Sequence, residues 1–319
     1  MNSYKEIGGY FQLERGSGLQ IHPESSCLLN SARNALRSIV HSLGIKRIQV
    51  PYYTCPVVWR ALEAENCEII PYDVDDAFFP LLDSSDIPLL YTNYFGLCNN
   101  VIEKVKRKFP SLIVDNAQAF YAKPEGIACF WSPRKFFGLP DGGILWTSYP
   151  LTLNLPSSES WQRCSHLLKR WDLGASAGYV DFQKNDASLN DENPLTMSNL
   201  TQALMSSIDV EAARERRCRN FKILHQVLAS ENIISLDLQT ELNCGAVPLV
   251  YPFRMKDLEL RRHLISKKVF TATYWPPEVG CECMTSESAQ MLAREIIPLP
   301  IDQRYDESDM QRILEVLYE

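Results

Sequence analysis

Lys135 sits in FWSPRKFFGLPDGGILWT, residues 130–147, three residues after Ser132 and ahead of the turn Asp141-Gly142-Gly143. Trp131, Pro133, Phe136 and Phe137 flank it, a setting that would strip water from its amine. A lysine amine that gives up its proton condenses with an aldehyde carbon. Upstream, the apolar run in SLIVDNAQAF ends on Asp115. An aspartate set against a pyridine nitrogen keeps that nitrogen protonated, so the ring can draw electrons from a substrate carbon. Each residue also has a plainer reading. A lone lysine in an apolar setting is ordinarily a surface side chain with a buried stem, and an aspartate after a strand is ordinarily a turn former. The order Asp-x-Ala-Gln, Ser-x-x-Lys, Asp-Gly-Gly within one short span favours the chemical reading.

The elements that must position these residues alternate as strand and helix. Short apolar strands are expected at 47–51, 68–72, 89–93, 112–115 and 127–131, with helices at 57–65 and 100–108. That rhythm predicts an α/β fold, a mostly parallel sheet sandwiched by helices. Ligands of such sheets sit beyond the carboxyl ends of the strands, and Asp115 falls at such an end. Leu36, Ile39, Val40 and Leu43 recur at helical spacing after Ser31, which places Ser31 at a helix N-terminus. Free N–H groups there favour a phosphate, although a simple cap is the commoner use.

Beyond residue 147 the pattern predicts a helical stretch at 161–171, a polar loop at 174–194 and one long helix over 198–230. Strands at 245–253, 270–275 and 296–299 then alternate with helices at 257–268, 286–294 and 307–317. The resulting organisation is an N-terminal arm at 1–26 and a large domain at 27–200. A connecting helix at 201–230 and a smaller α+β C-terminal domain at 231–319 follow. The arm, rich in Gly and Ser with Tyr4, Tyr10 and Phe11, reads equally as a cleft cover or a surface segment.

Composition narrows the classes. The chain has 319 residues, 45% hydrophobic and 22% charged, with a net charge of −7. That balance is globular, and the negative charge argues against a nucleic-acid partner. No apolar run approaches the ~20 residues of a membrane helix, and the start lacks a signal-peptide layout. A cytoplasmic protein whose ten cysteines are reduced is expected. Cys281 and Cys283 are too close for ordinary zinc spacing, and the five histidines are scattered, so no metal site is expected. No GxGxxG follows a first strand, against a nicotinamide enzyme.

The chain resembles the DegT/StrS-type family of pyridoxal-phosphate aminotransferases, aspartate-aminotransferase-like in fold and known mainly for sugar amination. The resemblance rests on Ser31–Leu36, Val50–Thr54, Asp115–Gln118, Ser132–Lys135 with Asp141–Gly143, and Leu299–Asp302. It spans residues 9–305. It implies pyridoxal 5'-phosphate as cofactor, with Lys135 and Asp115 catalytic: Lys135 holds the aldehyde carbon and shuttles the proton, and Asp115 pairs with the ring nitrogen. Gln118 would contact the ring face or its hydroxyl side, while Ser31, Ala32, Arg33 and Ser132 would hold the phosphate. Cys55 stands where the family places a stacking aromatic, with Tyr53 or Tyr94 as substitutes. Asn193 is the nearest counterpart of the family's Asn-Tyr-Arg segment, which reaches the neighbouring subunit's phosphate. Ser132 lies closer to the lysine than in the familiar sugar enzymes. The implied reaction moves an amino group from glutamate or glutamine to a keto acceptor, a nucleotide-linked keto-sugar, in a homodimer. A non-catalytic homologue, or a lyase or aldolase using the same cofactor, are the alternatives.

Overall fold

The computed structural model describes residues 7–11, 22–190, 193–257, 259–276 and 285–319. In chain order come β1 (Ile7–Gly8), β2 (Cys27–Leu29), α1 (Ala32–Ser42), β3 (Arg47–Pro51), α2 (Pro56–Glu63), β4 (Glu68–Tyr72), β5 (Leu89–Thr92), α3 (Asn99–Lys108), β6 (Leu112–Asn116), β7 (Ala128–Trp131) and β8 (Gly143–Thr147). Strands β2 to β8 make a seven-stranded sheet in the order β2-β8-β7-β6-β5-β3-β4. The pairs β4–β3, β3–β5, β5–β6 and β6–β7 are parallel, whereas β8 runs antiparallel to both β7 and β2. The mostly parallel α/β sheet that the sequence predicts is therefore present.

Strands buried on both faces read as continuous apolar runs, and side-chain alternation divides them between two cores. Leu112 and Val114 of β6 join one core with Leu89, Tyr91 and Trp131, whereas Ile113 joins the other with Leu90 and Phe130. Asp115 follows in the alternation of Ile113 and pairs with Phe130 across β7. Its side chain therefore leaves the sheet on the face covered by α1 and α2, whose residues Leu36, Ile39 and Val58 belong to that second core.

The later elements are α4 (Ser165–Leu173), α5 (Ala175–Ser188), α6 (Asn199–Ser206), α7 (Val210–Leu228), α8 (Leu238–Asn243), β9 (Val250–Arg254), α9 (Leu260–Ser266), β10 (Val269–Phe270), α10 (Glu287–Glu295), β11 (Ile296–Pro300) and α11 (Glu307–Tyr318). Here three expectations fail. The polar loop expected at 174–194 is mostly the helix α5. It buries only Ala175, Gly178 and Asn185, so no apolar stripe marked it. It is held by its antiparallel neighbour α4 and by Lys169–Asp181, 2.7 Å apart. The single helix expected at 198–230 is two, because Asp209 caps a new start by accepting the Ala212 N–H at 2.9 Å. The strand expected at 270–275 stops at Phe270.

β9 and β11 pair antiparallel, and α7, α9 and α11 pack around them as an α+β section. β1 pairs in parallel with β10, so the N-terminal segment is stitched to that section. No helix among the described residues is long and apolar enough to cross a membrane. The eight cysteines among the described residues are free thiols, and no cluster of metal-ligating side chains occurs there. Cys281 and Cys283 lie outside the described residues.

Candidate functional site

Two cavities meet at Lys135. The first, about 360 Å³, is lined by Ser31, Ala32, Arg33, Cys55, Val57, Val58, Asp115, Phe130, Ser132, Arg134, Lys135 and Asp186, with Gly9–Phe11, Phe182 and Tyr274 at its edge. The second, about 610 Å³, shares Lys135, Gly9–Phe11, Phe182 and Tyr274 and adds Tyr179, Arg217, Ile265, Phe270 and Asp302.

Local sequence explains how the first cavity is built. Pro133 opens a 3-10 turn directly after β7, and the Lys135 N–H donates to the Ser132 carbonyl at 3.1 Å. Phe136 and Phe137, both fully buried, anchor the turn from behind; Phe137 meets Phe120 edge-on at 4.8 Å. The Lys135 amine makes no hydrogen bond with any described residue and is left at the mouth shared by the two cavities.

Ser31 caps α1, its Oγ accepting the Asn34 N–H at 3.2 Å. The remaining N–H groups of the first turn have no helical acceptor, and the helix dipole adds positive potential there. The Asp141-Gly142-Gly143 turn is fastened to this cap by the Gly142 N–H donating to the Asn30 carbonyl at 2.7 Å. Gly143 is required by close approach, since a Cβ there would lie 2.3 Å from the Ser31 carbonyl carbon and oxygen. Asp141 itself is structural: its buried carboxylate accepts from Ser158 at 3.2 Å and also from Thr201.

Asp115 is 4% exposed, and its Oδ1 accepts the Ala117 N–H at 2.8 Å. Its other oxygen takes no hydrogen bond from a described residue. Burial pushes the carboxyl up from its ordinary range, against the opposing pull of Lys135 and the Ala117 N–H. A protonated ring nitrogen on the open oxygen would supply the counter-charge that burial lacks. Burial likewise raises the Cys55 thiol, so Cys55 presents a neutral wall.

Arg33 and Arg134 converge on one residue of α5. Asp186 Oδ1 lies 3.2 Å from Arg33 Nη2 and 3.3 Å from Arg134 Nη1. Burial alone would raise the Asp186 carboxyl, but Arg134 and Arg33 outweigh it and hold it below the ordinary range.

Of the residues singled out from sequence, Ser31, Ala32, Arg33, Cys55, Asp115, Ser132 and Lys135 line the first cavity. Gln118 does not. Its side chain is buried and its Oε1 accepts the Phe95 N–H at 2.8 Å, at a residue with φ of 59°. The amide oxygen thus supports a left-handed turn, and the Nε2 is buried without an acceptor. Asn193 is also outside; its backbone carbonyl accepts from Asn34 at 3.0 Å and so braces the cap from behind. Tyr53 and Tyr94, the suggested stacking aromatics, are buried against each other with ring centroids 5.5 Å apart. The aromatic walls are instead Tyr10, Phe11, Phe130, Phe182 and Tyr274. Asp186, Val57, Val58 and Phe182 were missed. Val57 and Val58 were legible only as an apolar start to a helix, and α5 had no signal at all.

No protein-family model matches the sequence, and no curated protein matches it. Solved structures do. A DegT/DnrJ/EryC1/StrS aminotransferase from Brucella abortus gives a TM-score of 0.63 at 15% identity, over 92% of this chain and 85% of that one. DesV of S. venezuelae, in complex with a ketimine intermediate, gives 0.63 at 17% identity, over 92% and 83%. Spr1654 from Streptococcus pneumoniae, which carries the name of a sugar aminotransferase, gives 0.63 in its PLP form at 14% identity, over 92% and 86%. The likeness is one of fold: the chain shares the architecture of these structures.

Proposed function

We propose that the protein is a pyridoxal-phosphate-dependent aminotransferase that takes an amino group from glutamate or glutamine and gives it to a keto acceptor, a nucleotide-linked keto-sugar. The reading rests on one observation: Lys135, Asp115, Ser132 and the first turn of α1 line one cavity at the carboxyl ends of the strands. The residues fit the cofactor. Asp115 has an oxygen open to a ring nitrogen, and the α1 cap offers unspent donors beside two arginines. When bound, the cofactor supplies an electron sink for the carbon next to the transferred nitrogen.

The chain's own residues do the rest. Ser31, Ala32, Arg33 and Ser132 would hold the phosphate, and Asp115 would orient the ring and keep its nitrogen protonated. With the cofactor bound, the Lys135 amine would hold its aldehyde group at rest and, once free, would take the proton from the donor carbon that bears the nitrogen and deliver it to the carbon that receives that nitrogen. Tyr10, Phe11 and Tyr274, shared by both cavities, keep water from that exchange. The acceptor enters through the larger cavity. The sugar-aminotransferase architecture supports a sugar acceptor, and the same reading makes the protein a homodimer, which light scattering tests; an active monomer would reject that part.

The test of the reaction is spectral. Protein loaded with pyridoxal phosphate and mixed with glutamate should change from the pyridoxal to the pyridoxamine spectrum. Binding without any change on adding glutamate or glutamine would instead make it a non-catalytic homologue.

A further inference from the structure

Arg33 and Arg134 share a single carboxylate oxygen, and that sharing has a consequence for anion binding. Their side chains are 15% and 13% exposed, whereas that of Asp186 is 46% exposed. Both guanidiniums meet a single oxygen of this carboxylate, next to the α1 N-terminus, while the nearby Asp141 carboxylate is held by Ser158 and Thr201. The contacts are also long: 3.2 and 3.3 Å, against about 2.7–2.9 Å for a well-formed charge-assisted bond. Neither arginine uses its paired donors on both carboxylate oxygens. Arg33 Nη1 spends its second contact on the Asp186 backbone carbonyl at 3.4 Å, and the Arg134 Nε is buried without an acceptor. A group with three oxygens and nearly two negative charges would satisfy these donors better than one carboxylate does.

We propose that Asp186 is the internal competitor of a phosphate monoester for Arg33 and Arg134, so that phosphate enters by taking both guanidiniums from this carboxylate. Arg134 is then a second arm of the phosphate seat, placed by the same turn that places Lys135. α5 becomes the element whose position reports whether the seat is filled. The idea rests on the pyridoxal-phosphate reading for the identity of the monoester, but not for the competition itself, which inorganic phosphate can probe.

Calorimetric titration of the full-length protein decides it, with inorganic phosphate, pyridoxal phosphate and pyridoxal as separate probes. Asp186→Asn removes the competitor and should tighten inorganic phosphate and pyridoxal phosphate by roughly ten- to hundredfold, with pyridoxal unchanged. Arg134→Gln should weaken the two phosphate probes by a similar factor and again spare pyridoxal. Thermal melting gives a second readout: Asp186→Asn should melt lower than wild type without phosphate and gain more from added phosphate. Unchanged or weaker phosphate binding by a folded Asp186→Asn protein would overturn the proposal. Should that variant not fold, unaltered phosphate binding by Arg134→Gln would overturn it as well. A wild-type protein that binds inorganic phosphate but neither pyridoxal compound would reject the cofactor reading and leave the competition to be judged on phosphate alone.

Discussion

The two cavities that meet at Lys135 are built from different parts of the chain and do different work. The smaller one is charged, and its walls are strand ends, a helix cap and tight turns of the large sheet: Asp115, Ser31, Ser132 and Arg134. The larger one is mostly aromatic and aliphatic, with Tyr179, Ile265, Phe270 and Tyr274 brought in by α5, α9, β10 and the segment after it. In the first, Lys135 and one oxygen of Asp115 are open to a ligand, and Arg33 and Arg134 share a single carboxylate oxygen. In the second, charge is spent internally, as in Asp302, whose carboxylate is gripped by Arg304 at 2.6 and 2.8 Å. On the proposed function, the first cavity would fix the charged cofactor and the second would admit the acceptor by shape.

Variants can sharpen or break that contrast. The largest effect belongs to Lys135→Ala, which should slow the glutamate half-reaction by roughly 10⁴-fold, read by single-turnover absorbance; an active variant would erase the distinction. Next is Asp302→Asn. The Asp302 and Arg304 side chains are 8% and 9% exposed, and breaking a buried pair costs about 3–5 kcal/mol, measurable by urea unfolding. Burial pushes the Asp302 carboxyl up, but Arg304 more than offsets it and holds it low. Its stabilisation is therefore complete above the unfolded aspartate value of about 3.9 and is lost as pH falls through the lower folded value. Acid unfolding should accordingly be flatter in that variant below about pH 4.

Gly143→Ala should cost about 1–3 kcal/mol through overpacking. Because the added Cβ meets the Ser31 backbone, it should also weaken cofactor binding, which fluorescence titration would detect. The smallest effect is expected at Tyr179→Ala, on the far wall of the larger cavity. It should raise the acceptor KM by roughly tenfold and leave the glutamate half-reaction unchanged. An equal effect on both halves would mean that the cavities are not separate in function.

The same contrast decides what the sequence could reveal. Sheet alternation and short turns are local, so Asp115, the Ser31 cap and the Lys135 turn were readable from runs of five to fifteen residues. The aromatic cavity is assembled from segments distant along the chain, and no local pattern links Tyr10 to Phe182 or Tyr274. α5 carried the strongest penalty. With almost nothing apolar to bury, it read as a loop, and with it went Asp186. Gln118 is a different case: a motif position kept its residue type, and its amide oxygen accepts from the backbone of Phe95 while its Nε2 is buried without an acceptor.

The most direct measurement of the central claim is chemical. The protein is loaded with pyridoxal phosphate, treated with borohydride to make any lysine linkage permanent, digested and analysed by mass spectrometry. One pyridoxyl-bearing peptide is expected, the one that contains Lys135. An adduct on another lysine, or none at all in protein saturated with cofactor, would contradict that claim.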